Sequence, residues 1–318
     1  MRIKSNILLL FISSLTISLT GQQKTLSERL GYQANAKLLI IHADDLGLSH
    51  STNMAVIKAF EEGGVTSGSV MVPCPWFPEI ADYVKLHPGM DVGIHTTLTS
   101  EWKFYKWDGV LPASQIPSLI DTNGYFHDGV VPFANHAQAD EVERELRAQI
   151  DRAIAFGIDP THIDNHMGSI FARPDLFEMA LKLAMEYRIP ILIPSQMIKM
   201  YAPQFLEKIP PYFPMVDNLQ MLNAWPKDNN WPEAYKQMIH GLIPGLNEII
   251  VHLSYDNEEM KAIAIDHPDF GSAWRQNDLD LVLNPEFQKI LKDNHIILVT
   301  WKQIRDLMRR EMDNQSSR

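Results

Sequence analysis

Histidine and aspartate side chains recur at the ends of short apolar runs in this sequence. In chain order they are His42, Asp44, Asp45, His95, His162, Asp164, His166 and His252. Parallel strands of a barrel or sheet gather their carboxyl ends at one mouth, so we expect these side chains to share one pocket. Two histidines and one carboxylate can hold a divalent metal ion and leave positions open for water and substrate. The sequence therefore predicts a metal site assembled from several strands.

The candidate metal ligands are His95, His166 and one of the adjacent residues Asp44 and Asp45. Neighbouring residues on an extended strand point in opposite directions, but Gly47 favours a turn that would bring both carboxylates to the pocket. Two carboxylates in a poorly solvated pocket repel each other unless a cation or a proton lies between them. We therefore expect one aspartate to bind the metal and the other to accept a proton from the attacking water.

The motif HIDNH places His162, Asp164 and His166 at alternate positions. In extended backbone these three side chains share one face, which is either the barrel interior or the helix layer. Buried polar groups need partners, so three of them on one face favour a functional cluster over simple packing. For His162 and His42, hydrogen-bonded core histidines remain an equal alternative.

Apolar runs of strand length alternate with helical patterns through most of the chain. Strands are predicted at 37–42, 66–72, 91–95, 161–164, 189–194, 247–253 and 295–300, and helices at 51–63 with Ser51 as N-cap, 77–86, 140–157, 173–188, 231–242, 285–294 and 301–312. Such alternation implies parallel pairing with right-handed crossovers. The prediction is an α/β fold, an incomplete or distorted (β/α) barrel of about seven parallel strands. An open doubly wound sheet is the alternative, disfavoured because no glycine-rich phosphate loop follows the first strand.

We predict one domain at 37–312, preceded by a polar lead at 23–36 and followed by a tail at 313–318. Irregular insertions are expected near 96–135 and 195–231. The first begins directly after His95, so we expect it to wall the pocket. Six aromatic residues in or near irregular stretches could stack on a sugar or anchor loops: Trp102, Tyr105, Trp107, Trp225, Trp231 and Trp274.

The first 22 residues differ in character from the rest. Arg2 and Lys4 precede an apolar stretch at 7–19 and a polar one after it, as in a secretory signal cleaved near residue 21. We therefore expect an exported protein, periplasmic or extracellular. An uncleaved N-terminal anchor is the alternative, because no small-residue cleavage motif is present.

The charge of the chain limits its partners. The net charge is −11, and removing the two basic residues of the signal segment makes it −13. Nucleic acids and anionic lipids need basic patches, so neither is expected as a partner, nor is a stable membrane span. A neutral or cationic small molecule is compatible, and a homodimer remains open.

The chain resembles the YdjC-like carbohydrate deacetylases, relatives of the chitooligosaccharide deacetylases and, more distantly, of the polysaccharide deacetylases. The matching stretches are IIHADDLGLSHSTNMAVIKAFEEGGVTSGSVMV, VGIHTTLT and GIDPTHIDNHMG, followed by the weaker EIIVHLSYD. With similar spacing between them, these stretches cover most of residues 37–300. The resemblance implies a distorted (β/α) barrel with a divalent metal ion. The histidine ligands favour zinc, with magnesium, cobalt or nickel possible.

The resemblance also implies roles for particular residues. Asp45, His95 and His166 would bind the metal, Asp44 would be the general base, and His252 would be the acid that protonates the leaving amine. Apart from the resemblance, we expect His42, His162 and Asp164 to support these residues or contact substrate. Arg275 could contact a carboxylate or orient Asp44. This chain differs from many relatives in having Leu253 after His252, and Met167 with Gly168 after the HIDNH motif.

The function expected from the resemblance is metal-dependent hydrolysis of an N-acetyl group on an amino sugar or oligosaccharide. A two-histidine, one-carboxylate oxygenase would use the same ligand set but needs a co-substrate site. A barrel glycosidase would use two carboxylates without metal. A glycan-binding protein without catalysis is the third alternative.

Overall fold

The fold is a sheet of parallel strands curled into an incomplete barrel and covered by helices. The computed structural model describes residues 24–316, so the predicted signal segment lies outside the described residues. The strands are β1 Lys37–Leu46, β2 Ser67–Val70, β3 Val92–Thr96, β4 Ile163–Asn165, β5 Asn218–Met221, β6 Gly245–His252 and β7 Ile297–Leu298. The sheet order is β4-β3-β2-β1-β6-β5, and β7 pairs with the first half of β1. Every strand pair is parallel, which confirms the predicted fold class.

The predicted strand at 189–194 is wrong as a regular strand. This segment makes only isolated bridges, from Ile191 to Ile163 of β4 and from Pro194 to Val216 just before β5. Pro190 and Pro194 have no N–H to donate, so the sequence IPILIP cannot form a continuous ladder. The bridges nevertheless connect the two edges of the sheet.

Strand β5 replaces that segment as a member of the sheet and was not predicted. Its residues Asn218–Met221 are half-buried or exposed, and they pair with residues 247–250 of β6. The sequence NLQM has neither an apolar run nor a clear alternation, so its pattern did not separate it from the irregular region around it.

Twelve α-helices surround or flank the sheet within residues 24–316. They are α1 Leu26–Arg29, α2 His50–Glu61, α3 Phe77–Leu86, α4 Val130–His136, α5 Ala139–Ala155, α6 Pro174–Tyr187, α7 Ser195–Tyr201, α8 Trp231–His240, α9 Glu258–Ile263, α10 Ser272–Val282, α11 Pro285–Asp293 and α12 Trp301–Ser316. The predicted bounds of α3 agree with the structure. Helices α4, α7, α9 and α10 were not predicted, and α4 and α7 begin within the predicted irregular insertions. Helix α1 lies in the predicted polar lead, and α12 continues into the predicted tail.

The start of α2 corrects the predicted N-cap. Ser49, not Ser51, caps the helix, because its hydroxyl accepts a hydrogen bond from the backbone N–H of Thr52 at 3.0 Å. The hydroxyl of Ser51 is instead 2.9 Å from Oδ1 of Asn257, and its backbone N–H donates to Glu259 at 2.8 Å. Ser51 therefore connects α2 to the start of α9.

The barrel interior changes from apolar to polar along β1. Leu38 and Ile40 pack in one cluster with the fully buried Trp301, whereas His42 and Asp44, two and four positions further on, belong to the polar cluster. Residues two apart on a strand share a face, so this face runs from an apolar floor to a polar mouth. The strand therefore delivers its functional residues to the carboxyl end of the barrel.

Candidate metal centre

Three of the predicted ligands meet at the carboxyl end of the sheet. Oδ1 of Asp45 lies 3.3 Å from Nε2 of His95 and 3.4 Å from Nδ1 of His166, and the two nitrogens are 3.2 Å apart. All three side chains are buried. Residues from β1, β3 and the turn after β4 thus present one donor atom each to a common point.

The backbone of β1 explains how adjacent aspartates reach one pocket. The pairing of β1 with β2 shifts register between Ala43 and Leu46, and Asp45 has a positive φ of 67°. This left-handed conformation is uncommon outside glycine, although aspartate tolerates it better than most residues. It turns the carboxylate of Asp45 toward His95 while Asp44 stays on the interior face. The predicted turn is therefore present, but it begins at Asp45 itself rather than at Gly47.

The donor set fits a divalent metal ion. A tetrahedral ion with bonds of 2.0–2.1 Å separates its ligand atoms by about 3.3 Å, close to the three distances seen here. Oδ1 of Asp45 is buried and accepts no hydrogen bond of normal geometry. Its nearest polar neighbours are the two imidazole nitrogens, so the atom lacks a partner that an ion would supply.

Each histidine of the triad has a carboxylate on its other nitrogen. Nδ1 of His95 lies 3.0 Å from Asp164, and Nε2 of His166 lies 3.1 Å from both carboxylate oxygens of Glu101. Such carboxylates fix the tautomer and ring orientation of metal-binding histidines. Glu101 was not singled out in the sequence. It lies in an irregular loop, and the only signal was the expectation that this loop walls the pocket.

Arg275 supports the third ligand. Its Nη2 donates to Oδ2 of Asp45 at 2.6 Å, and its Nε donates to the carbonyl of Phe270 at 2.6 Å. Burial opposes the ionisation of Asp45, but the Arg275 guanidinium, together with the two nearby imidazoles, holds its pKa well below the usual range. Arg275 therefore contacts Asp45 and keeps it ionised, and its contact is with this aspartate rather than with Asp44.

Asp44 lies beside the triad and faces different partners. Its Oδ1 is 3.0 Å from Nε2 of His42, and its Oδ2 is 3.7 Å from Nε2 of His252. Burial, reinforced by the nearby carboxylate of Asp164, raises the pKa of Asp44 to about 6. A carboxylate of this basicity, close to the ligands but not among them, is suited to accept a proton near neutral pH.

His252 is held neutral in its surroundings. Its side chain is 12% exposed at the mouth and contacts the ring of Phe270 at 4.9 Å. Burial lowers its pKa to about 3, although Asp45 acts in the opposite direction. The backbone N–H of His252 donates to Asp278 at 3.0 Å, which fixes the end of β6 against α10.

The two remaining histidines differ in their environment. His42 contacts Asp44 and lies 3.8 Å from Glu248; burial opposes its charged form, but hydrogen bonds to Asp164 and Asp44 raise its pKa to about 10. His162 stacks on Trp301 at 5.1 Å, and burial lowers its pKa well below the usual range. His42 thus belongs to the polar cluster, whereas His162 packs on the barrel floor.

Most of the aromatic candidates are buried. Trp102, Trp107, Trp231 and Trp274 are each at most 4% exposed, and Trp225 packs against Trp231 and Trp274 with ring centroids 5.8 and 5.4 Å apart. These rings anchor loops and helices rather than lie open to a sugar. Within the described residues, no helix is long and apolar enough to cross a membrane.

Comparisons with known proteins found one matching family, similar sequences and a similar structure. The profile of the family described as "YdjC-like protein" matches residues 38–293. A carbohydrate deacetylase from Thermus thermophilus is 34% identical, over 89% of this chain and 99% of the relative. A chitooligosaccharide deacetylase from Yersinia enterocolitica is 32% identical, over 49% and 59% respectively. A crystal structure from Enterococcus faecalis, provisionally named a cellobiose-phosphate cleavage protein, superposes with a TM-score of 0.71 at 25% identity, covering 85% of this chain and 99% of that one.

Proposed function

Because the chain belongs to the family of YdjC-like proteins, we propose that it hydrolyses the N-acetyl group of an acetylated amino sugar or oligosaccharide. The observation that carries the proposal is the convergence of Asp45, His95 and His166 within 3.2–3.4 Å around a buried, unpartnered carboxylate oxygen. Relatives named carbohydrate deacetylase supply the substrate class.

The three ligands would hold one divalent metal ion. When bound, such an ion polarises the acetyl carbonyl and lowers the pKa of bound water from about 16 toward about 7. Two imidazoles and one carboxylate favour zinc over magnesium, with cobalt and nickel also compatible. The carboxylates of Asp164 and Glu101 keep the unused nitrogens of the histidines as donors, so the other nitrogens carry free lone pairs.

Asp44 would act as the general base. Its raised pKa of about 6 means that it is mostly ionised at neutral pH and still basic enough to take a proton from water. The hydroxide equivalent adds to the acetyl carbon and converts the carbonyl into a tetrahedral oxyanion. Nε2 of His42, 3.0 Å from Oδ1, orients the carboxylate of Asp44 during this step.

His252 would return the proton to the leaving nitrogen. In the resting site it is neutral, but its Nε2 lies 3.7 Å from Oδ2 of Asp44, which carries the proton after attack. Because the pKa of His252 lies below that of Asp44, His252 would relay this proton to the leaving nitrogen as the C–N bond breaks, without accumulating as an imidazolium. The products are acetate and the free amino sugar.

The test is acetate release from a panel of N-acetylated mono- and oligosaccharides. Protein treated with a chelator should be inactive, and addition of Zn²⁺, Co²⁺, Ni²⁺ or Mg²⁺ in separate assays should restore activity with at least one ion. The Asp45→Asn variant should lose metal binding, and Asp82→Asn, at an exposed position on α3, serves as the matched control. If the purified protein binds no divalent metal and releases no acetate from any sugar, the proposal fails.

We also propose that the substrate lies outside the cytoplasm. The support is the basic and then apolar character of residues 1–22 in the sequence. Cell fractionation of the full chain, with N-terminal sequencing of the mature protein, should find it exported and cut near residue 21. Recovery of the uncut chain from the cytoplasm contradicts this part of the proposal.

A further inference from the structure

The segment Glu101–Trp107, here called the strap, lies over the carboxyl end of the barrel and is fixed at several points. The hydroxyl of Tyr105 donates to the carbonyl of Leu48, after β1, at 2.5 Å. Trp102 stacks on His267 with ring centroids 5.4 Å apart, and Lys103 forms an ion pair with Asp266. The strap therefore connects the loop after β1 with the loop before α10.

Two strap residues reach the supports of the metal ligands. The indole N–H of Trp102 donates to Oε1 of Glu101 at 2.6 Å, and Glu101 in turn accepts from Nε2 of His166. The ring of Trp102 also lies 5.6 Å from the guanidinium of Arg275, which binds Asp45. Trp102 thus touches the groups that orient two of the three ligands.

The third ligand is supported differently. His95 is on β3, and its partner Asp164 is on the neighbouring strand β4, in a directly paired position. A backbone ladder holds this pair in place, whereas Glu101 is held by a loop. The orientation of His166 consequently depends on the strap, and that of His95 depends on the sheet.

We propose that Glu101 and Trp102 are positioning residues through which the strap sets the metal affinity of the site. Glu101 accepts the N–H of His166 Nε2, so that Nδ1 keeps its lone pair directed at Asp45 and His95. Trp102 fixes Glu101 by its hydrogen bond and covers Arg275 with its ring. This inference rests on the proposed metal binding by Asp45, His95 and His166.

The experiment measures metal affinity without substrate. Metal-free wild-type protein is titrated with Zn²⁺ in competition with a chromophoric chelator, and with Co²⁺ while the visible absorption is recorded. Glu101→Gln should raise the Kd for Zn²⁺ by about 10- to 100-fold, the range typical of lost carboxylate partners of metal-binding histidines. The Co²⁺ absorption should also change, because His166 is no longer held in one orientation and tautomer.

Further variants separate positioning from folding. Trp102→Phe keeps an aromatic ring over Arg275 but removes the hydrogen bond to Glu101, so it should weaken metal binding less than Glu101→Gln. Glu101→Asp retains a carboxylate and should recover part of the affinity. Glu207→Gln, at an exposed position, is the matched control and should bind metal as the wild type does.

The outcomes distinguish this inference from the proposed function. A wild-type protein that binds no metal overturns both. A wild-type protein that binds Zn²⁺, with Glu101→Gln and Trp102→Phe binding it equally well and giving unchanged Co²⁺ spectra, overturns only the role of the strap. If Glu101→Gln does not fold, Trp102→Phe decides the question.

Discussion

Replacing Arg275 by methionine tests how the metal-free site balances its charges. The Arg275 and Asp45 side chains are 2% and 4% exposed, and their ion pair is 2.6 Å long. Removing one partner of a buried pair typically costs about 3–5 kcal/mol, because the other charge stays buried without compensation. We expect Arg275→Met to lower the free energy of unfolding by about 3 kcal/mol, near the lower limit of this range. The reason is that His95 and His166 lie within 3.4 Å of the same carboxylate.

The double variant Asp45→Asn/Arg275→Met should recover most of this loss. Removing both charges leaves no uncompensated ion, and replacing a whole buried pair is often neutral. Added Zn²⁺ should reduce the difference in stability between Arg275→Met and wild type. The bound cation supplies Asp45 with a new counter-charge and stabilises only the folded state. The double variant should gain far less from Zn²⁺.

Urea unfolding followed by circular dichroism, with and without chelator, measures these differences. Arg144→Met is the matched control, because Arg144 pairs with Asp140 at the surface, where both side chains are well exposed, and its loss should hardly change stability. The reasoning is refuted if Arg275→Met unfolds within about 1 kcal/mol of wild type without metal, or if Zn²⁺ stabilises both proteins equally.

Three further predictions concern the base, the acid and the strand that carries a ligand. Asp44→Asn should lower kcat by about 10²- to 10⁴-fold, because the general base is lost. Its metal Kd should not change, because the oxygens of Asp44 face His42 and His252. Acetate release and Zn²⁺ titration measure both effects, and a variant that no longer binds metal contradicts the prediction. His252 has a folded pKa of about 3 against an ordinary value of 6.5, so between these values the unfolded chain binds more protons and wild type loses stability as pH falls. The free energy of unfolding of metal-free His252→Gln in urea should therefore rise by about 2 kcal/mol relative to that of wild type as the pH falls from 7.5 to 5. A stability difference between the two proteins that stays the same over this pH range refutes the buried neutral ring. Gly93→Ala would place a Cβ 2.5 Å from the backbone oxygen of His162, so it should lower both the melting temperature and the Zn²⁺ affinity. Calorimetry that finds the melting temperature of wild type contradicts the close approach of Gly93 to His162.

Strands buried on both faces were predictable because they are continuous apolar runs ending in ligand-type residues. For β1 and β6 the runs LLII and EIIV indicated both the strand and the point where its chemistry begins. The strand predicted at 189–194 was wrong because its apolar side chains, which are buried, resemble those of a strand, whereas its prolines interrupt the hydrogen-bond ladder. Strand β5 is the opposite case, because it pairs with β6 in the sheet but its sequence has no apolar pattern from which a strand could be predicted.

Helix α10 and the strap show why part of the site could not be predicted. The buried face of α10 carries Arg275 and Asp278, so it lacks the apolar stripe from which helices are recognised. Glu101 acts from a loop, where no periodic pattern indicates which side chains turn inward. The shared carboxyl end of the parallel sheet explains why Asp45 on β1 and His95 on β3 meet across β2. The left-handed turn that separates Asp45 from Asp44 depends on a local shift in register.

The closed floor of the barrel has a consequence for turnover. Within residues 24–316, Leu38, Ile40 and Trp301 are fully buried and pack together at the amino end of the barrel. In the proposed reaction, sugar, water, acetate and the free amine would all use the entrance at the opposite end. A product that remains in this entrance excludes the next substrate, so release of acetate and amine would compete directly with the following encounter.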